Sequence, residues 1–136
     1  MIALSIMESY ALSKPELGFV HHIALAVHNL EESVTYYQEV LGLSQLDTPD
    51  SAYSSGIRWF DLGGYCALHL IEVPWVIAPP RAHLAITVAD NDAWRAYLEG
   101  KGVRIVEPTV DLYAAKRFFL KDPTGNLVEL VEWLKD

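Results

Sequence analysis

The chain predicts an α+β domain built from two tandem β-α-β-β-β modules, and three observations carry that expectation. Two stretches, VHHIALAV (20–27) and RAHLAITV (81–88), repeat one pattern and place His22 and His83 61 residues apart. A second polar residue, stranded in an apolar strand, follows each at matched distance: His69 lies 47 residues after His22, and Glu129 lies 46 after His83. Each copy then continues with the same order of helix-start, helix-stop and strand signals, as an internal duplication requires.

Residues 1–18 belong to neither copy and read as an N-terminal arm, helical in part, that stops near Pro15 and Gly18. The single domain then spans 19–136, with module one over about 19–76 and module two over about 81–134. Residues 19–27 alternate as a strand. Asn29 offers an N-cap with Glu32 completing a capping box, and Leu30, Val34, Tyr37 and Leu41 follow at helical spacing until Gly42 ends the helix. Strands follow over 43–47, 57–62 and 66–73, with Gly63-Gly64 as a hairpin turn between the last two. Pro74, Pro79 and Pro80 mark the linker. Module two repeats the order: a strand over 82–88, Asp90 as N-cap, and a helix over 91–99 turning Trp94, Tyr97 and Leu98 inward. Gly100 and Gly102 break that helix, and strands follow over 103–106, 116–120 and 127–133. Asp122-Pro123-Thr124-Gly125 has the residue preferences of a type I turn.

Composition narrows the function. A formal charge of −8 argues against binding a phosphate backbone, which needs clustered Lys and Arg. Cys66 is the sole cysteine, so neither an internal disulfide nor a cysteine zinc motif is available, and a reducing, cytoplasmic setting is expected. No segment approaches the roughly 20 apolar residues that span a bilayer. The serine-hydrolase elbow and the glycine-rich nucleotide loops are absent.

Strand parity selects the chemistry. Ile23, Leu25 and Val27 share one face, toward the helix, and His22, Ala24 and Ala26 share the other. Leu84, Ile86 and Val88 divide likewise from His83, Ala85 and Thr87. Each histidine therefore stands on a face of small residues, which leaves room for a cavity. A carboxylate such as Glu129 on an apolar face costs several kcal/mol unless it is paired or bound to a metal. Imidazole and carboxylate are the usual ligands of iron, nickel, zinc and manganese. His22, His69, His83 and Glu129 are therefore expected to hold a divalent metal, with identity open among Fe, Ni, Zn and Mn. Glu72 and Glu132 recur 60 residues apart on the opposite face and are expected to meet solvent or an interface, with Glu72 a fallback ligand if the strand slips by one residue. His21 reads as structural, His28 as a solvated turn residue, and Cys66 as unreactive.

The stretches HIALAVHNLEESVTYYQEVLGL (22–43), HLAITVAD (83–90) and DPTGNLVELVE (122–132) resemble the vicinal oxygen chelate superfamily, which includes glyoxalase I, bleomycin-resistance proteins, fosfomycin-modifying thiol transferases, methylmalonyl-CoA epimerase and extradiol dioxygenases. The resemblance covers about 19–133. It implies paired modules curled into a cupped mixed sheet, the glyoxalase/bleomycin-resistance/dioxygenase fold. It implies ligands on the first and last strands of each module, at the same His22, His69, His83 and Glu129. It also implies a homodimer whose cups are often assembled from modules of two chains. His69 departs from the carboxylate that bacterial glyoxalase I carries there. Isomerase or epimerase chemistry would then rest on one base, whereas dioxygenases and thiol transferases need two histidines and one glutamate.

The expected function is that of a metal-dependent enzyme, a glyoxalase-type lyase or an extradiol-type dioxygenase. Its small-molecule substrate would present neighbouring oxygens that the ion chelates and stabilises as a Lewis acid. Glu129 is the expected general base. Arg58 and Arg117, together with Lys116, are candidates for steering an anionic substrate, and Trp59, Tyr113 and Phe119 for walling the cup. The rival expectation is a non-catalytic drug- or metabolite-binding protein of the same fold. Neither nucleic acid nor membrane is an expected partner.

Overall fold

The computed structural model describes residues 13–112 and 114–134. Most of the expected N-terminal arm lies outside the described residues, and its described part, from Ser13 to Val20, has no regular secondary structure. The two modules fold as expected into β-α-β-β-β units, each with a four-stranded mixed sheet. Module one runs β1 (His22–Val27), α1 (Leu30–Thr35), β2 (Gln45–Leu46), α2 (Asp50–Ser54), β3 (Ile57–Asp61) and β4 (Ala67–Glu72). Module two runs β5 (His83–Thr87), α3 (Asn91–Gly100), β6 (Ile105–Val106), β7 (Ala115–Lys121) and β8 (Leu127–Trp133). The sheet orders, β1-β4-β3-β2 and β5-β8-β7-β6, are the same topology twice. In each, the first and last strands are parallel neighbours and the others pair antiparallel.

Several local expectations are corrected. The first helix is not uniform: after Thr35 it widens into a π-helical turn over Tyr36–Val40, where Leu41 N–H reaches back five residues to the Tyr36 carbonyl at 3.2 Å. This turn sets Tyr36 and Tyr37 side by side in the core, Tyr37 fully buried. Gly42 ends the helix as expected, in the left-handed region at φ +74°, and Leu43 N–H closes on the Tyr37 carbonyl. The short helix α2 was not legible, since Asp50–Ser54 buries no residue and so leaves no apolar period to read. The hairpin after β3 is a three-residue loop: Gly63, Gly64 and Tyr65 all have positive φ, and Leu62 pairs with Cys66. Tyr97, expected inward, is 42% exposed, while Leu98 on the same turn is fully buried.

Glu72 is exposed and Glu132 half-buried, on the face expected of them, but each also makes a bond that parity does not reveal. Glu72 accepts a hydrogen bond from Leu30 N–H at 2.8 Å, and Glu132 accepts one from Asn91 N–H at 2.9 Å. Each carboxylate therefore ties the last strand of its module to the first free N–H of its helix, where the helix dipole favours negative charge. Asn29 and Asp90 cap the same helices through Glu32 N–H and Ala93 N–H, both at 3.0 Å.

The helix-bearing faces of both sheets feed one core, including Val27, Tyr37, Phe60, Leu68 and Leu70 from module one and Leu84, Leu98, Phe118, Val128 and Leu130 from module two. A polar latch joins the halves inside it. Tyr37 Oη donates to Asp122 Oδ2 at 2.8 Å, and Asn126 Nδ2 donates to the Ala26 carbonyl at 2.9 Å. Asp122 also opens the expected type I turn, its carbonyl accepting from Gly125 N–H. His28 is exposed in the turn after β1 as expected, and is also engaged: its N–H donates to Thr124 Oγ1 at 2.8 Å, and Nε2 meets the Val76 carbonyl at 2.5 Å.

Candidate metal centre

With the core on one face of each sheet, the other face carries the polar residues that parity selected. In module one, β1 and β4 pair with Ala24 opposite His69, and β3 sets Trp59 opposite His69. His22, His69 and Trp59 form a column of three near-parallel rings. The His22 and His69 centroids are 3.9 Å apart at 11°, and those of His69 and Trp59 are 4.3 Å apart at 1°. The sandwich holds the His69 ring in one orientation. Its Nε2 is buried with no hydrogen-bond partner among the described residues, an unusual condition for a polar atom that a ligand would relieve. Burial, then the neighbouring His22 and His21 rings, hold the His69 imidazole below its usual pKa, favouring the neutral, lone-pair-bearing form. His21 stands at the edge of the first strand, where its carbonyl accepts from Ala67 N–H. It is exposed, and its Nδ1 lies 2.9 Å from His22 Nδ1.

Module two repeats the arrangement with different donors. Ala85 stands opposite Glu129, and Phe119 opposite Glu129 where Trp59 stood opposite His69. His83 Nε2 and Glu129 Oε2 are 3.0 Å apart, with Glu129 buried and His83 about one-third exposed. His83 Nδ1 lies 2.8 Å from the Arg81 carbonyl. A carbonyl can only accept, so Nδ1 carries the proton and Nε2 is the atom turned toward Glu129. Arg117 lies on the same face, its Nη1 donating to Glu129 Oε1 at 3.3 Å.

The module-two pair fits a divalent ion by its own chemistry. Two ligands at right angles on bonds of about 2.1 Å sit about 3 Å apart, which is the spacing of His83 Nε2 and Glu129 Oε2. His69 Nε2 supplies an unpaired donor in the other half. Within one chain, however, the halves do not combine: among the described residues, no three His, Cys, Asp or Glu side chains converge as a metal-holding group. The expectation that all four meet around one cation is therefore not met by a single chain. Each module carries a cavity, which in module one meets the ring stack through Trp59. One of about 330 Å³ is walled by His83, Arg117, Phe119 and Val106, and another of about 340 Å³ by Phe19, His21, Trp59 and Tyr65.

The remaining candidates divide by face. Arg58 pairs opposite Leu70 on the core side of β3, and its guanidinium stacks 3.4 Å above the Tyr53 ring, away from His69. Lys116 is on the helix side of β7, 2.9 Å from Asp92. Neither can steer a substrate into a cup from there. Trp59, Arg117 and Phe119 are on the polar faces. Tyr113 lies outside the described residues. No helix among the described residues is long and apolar enough to cross a membrane.

Comparison with known proteins gives consistent results. A family model described as the Glyoxalase/Bleomycin resistance protein/Dioxygenase superfamily matches residues 19–130. YaeR of Escherichia coli is 34% identical over 122 residues, covering 83% of this chain and 95% of its own. The metallothiol transferase FosB of Staphylococcus haemolyticus is 28% identical over 116 residues, covering 82% of this chain and 81% of its own. A glyoxalase/dioxygenase structure from Nostoc punctiforme superposes with a TM-score of 0.73 at 23% identity, over 90% of this chain and 99% of that one, which bears on the fold alone.

Proposed function

The chain belongs to the Glyoxalase/Bleomycin resistance protein/Dioxygenase superfamily, and from that premise we propose that it is a metal-dependent enzyme acting on a small substrate with neighbouring oxygens. The observation that carries the reading is the repeated pair of metal-capable side chains at one register of both sheets, His22 with His69 and His83 with Glu129. Kinship to a protein named a metallothiol transferase supports the metal. His22, His83 and Glu129 would hold the ion, with His69 as a fourth ligand.

Because each half-cup holds two donors, the complete site would form where module one of one chain faces module two of its partner in a homodimer. Exposed apolar side chains at the cups, Phe19 at 71%, Tyr65 at 91% and Val110 at 57%, support a contact there. A bound divalent ion would act as a Lewis acid toward two substrate oxygens. Glu129, held between His83 and Arg117, is the carboxylate available to take a substrate proton. Trp59 and Phe119 provide apolar walls that exclude water. The reaction would be of the glyoxalase-type lyase or extradiol-type dioxygenase class, and the FosB kinship adds thiol transfer as a second reading.

The test is elemental analysis of freshly purified protein together with dimer complementation. Wild type should carry about one divalent ion per chain, and His22→Ala or His83→Ala should each remove it. Mixed dimers of the two variants pair an intact module one with an intact module two in one of their two cups, so they should recover one ion. Metal at trace level in wild type would instead favour a non-catalytic binding protein. Metal content retained in both single variants would remove these residues from the site.

A further inference from the structure

We propose that Arg117 is the anchor for an oxyanion, the carboxylate, phosphonate or phosphate group of a small organic substrate, in the half-cup of module two. The inference deepens the function proposed above by naming the substrate class, but the contacts that carry it are those of Arg117 itself. The duplication supplies the internal control. Arg117 pairs opposite Val131 as Ile57 pairs opposite Ile71, with Phe119 opposite Glu129 as Trp59 is opposite His69. The same floor position thus holds an isoleucine in one module and a guanidinium in the other, so packing alone does not require a charge there.

The charge is costly where it stands. The Arg117 side chain is only 10% exposed, and taking a guanidinium out of water costs several kcal/mol unless its donors are met. They are met incompletely. Nη1 reaches Glu129 Oε1 at 3.3 Å, a long contact and not the two-pronged fork that arginine makes when a carboxylate is its intended partner. The other Glu129 oxygen is turned to His83, and Arg117 Nη2 is spent on the Val110 carbonyl. Nε is buried with no partner among the described residues. A guanidinium with spare donors, on the wall of a cavity of about 330 Å³, is built to receive an acceptor from outside the chain.

The surroundings allow an anion. Arg81 lines the same cavity, and Val106, Pro108 and Phe119 offer apolar surface for the rest of the ligand. Glu107 also lines it, but its carboxylate is taken by Arg95, whose hydrogen bond holds it below the usual carboxylate range. Among the described residues, Glu129 is the one carboxylate bonded to Arg117. A cation bound at Glu129 would offset that negative charge, so cation and oxyanion should strengthen each other's binding reciprocally.

Titration calorimetry with phenylphosphonate tests this on the full-length protein, once with a chelator and once with saturating divalent metal. Wild type should bind the probe, more tightly with metal than without. Arg117→Met should weaken binding by about ten-fold or more in both conditions. Arg117→Lys keeps the charge but loses the planar fork, and should fall about three-fold short of wild type. No binding by wild type in either condition overturns the assignment, as does Arg117→Met binding like wild type with an unchanged circular dichroism spectrum. If Arg117→Met fails to fold, Arg117→Lys decides, and wild-type affinity in it overturns the assignment. Arg117-dependent binding by a protein that takes up no metal would refute the metal reading and leave the oxyanion site standing.

Discussion

Replacing Asp122 tests whether the latch between the modules stabilises the fold, and the structure sets the size of the effect. Asp122 is 4% exposed and accepts five hydrogen bonds. Oδ1 takes the backbone N–H groups of Thr124, Gly125 and Asn126 at 3.0, 2.9 and 2.8 Å, and Oδ2 takes Tyr37 Oη at 2.8 Å and Asn126 Nδ2 at 3.0 Å. Asp122→Ala removes the acceptor from all five. Thr124 and Gly125 are half-buried, so water can reach their amides. The hydroxyl of fully buried Tyr37 and the amide of nearly buried Asn126 have no such recourse. Each stranded donor costs about 1–3 kcal/mol, so Asp122→Ala should lower unfolding free energy by about 3–5 kcal/mol. Asp122→Asn keeps an oxygen for the backbone donors but turns an amide toward two other donors, and should lose about half as much. Urea denaturation at neutral pH, at unchanged m value, measures both. A double-mutant cycle with Tyr37→Phe should show about 1–2 kcal/mol of coupling, because the two substitutions break the same bond. A loss below about 1 kcal/mol for Asp122→Ala, or strict additivity in the cycle, would refute the latch.

Alkali should destabilise the protein through Tyr37, the partner of Asp122 in the latch. Burial, followed by the nearby Asp122 charge, pushes the Tyr37 hydroxyl far above its usual pKa, so the folded state keeps a proton that the unfolded state releases near pH 10. The stabilisation is complete below pH 10 and declines above it, by about 1.4 kcal/mol per pH unit for this group; Tyr37→Phe should remove that share of the slope in denaturation series from pH 9 to 11.5. Glu72→Gln and Glu132→Gln should each cost about 0.5–1 kcal/mol by weakening the charge at a helix start, with the difference from wild type shrinking in 1 M salt. Phe118→Ala, at a fully buried core position, should cost about 3–5 kcal/mol in the same assay.

Much of the fold was legible because the duplication states each element twice. Asn29 and Asp90, Gly42, and the turn at Asp122 carried local signals that need no distant partner, and the structure places each where those signals put it. What failed were features set by neighbours. Parity put Glu72 and Glu132 on the face opposite the ligands, but the N–H that each one caps is supplied only by the packed helix. Arg58 and Arg117 are alike in sequence, yet a two-residue-period strand sends one toward Tyr53 on the helix-bearing side and the other to the face that carries Glu129. Trp59 was named as a wall, but its role as the outer plate of a ring stack on His69 depends on cross-strand register.

The sequence by itself determined the topology, the two core faces and the four metal-capable positions, because alternation along a strand assigns a side to every residue once the strand exists. Where the two polar faces lie relative to each other was decided by tertiary structure alone. The shared core and the bond from Tyr37 to Asp122 fix how one module sits against the other, and that packing keeps His22 and His69 in one half-cup and His83 and Glu129 in another. The physical reason is that period-two patterning acts within a sheet, whereas the relation between sheets depends on contacts between residues far apart in the chain.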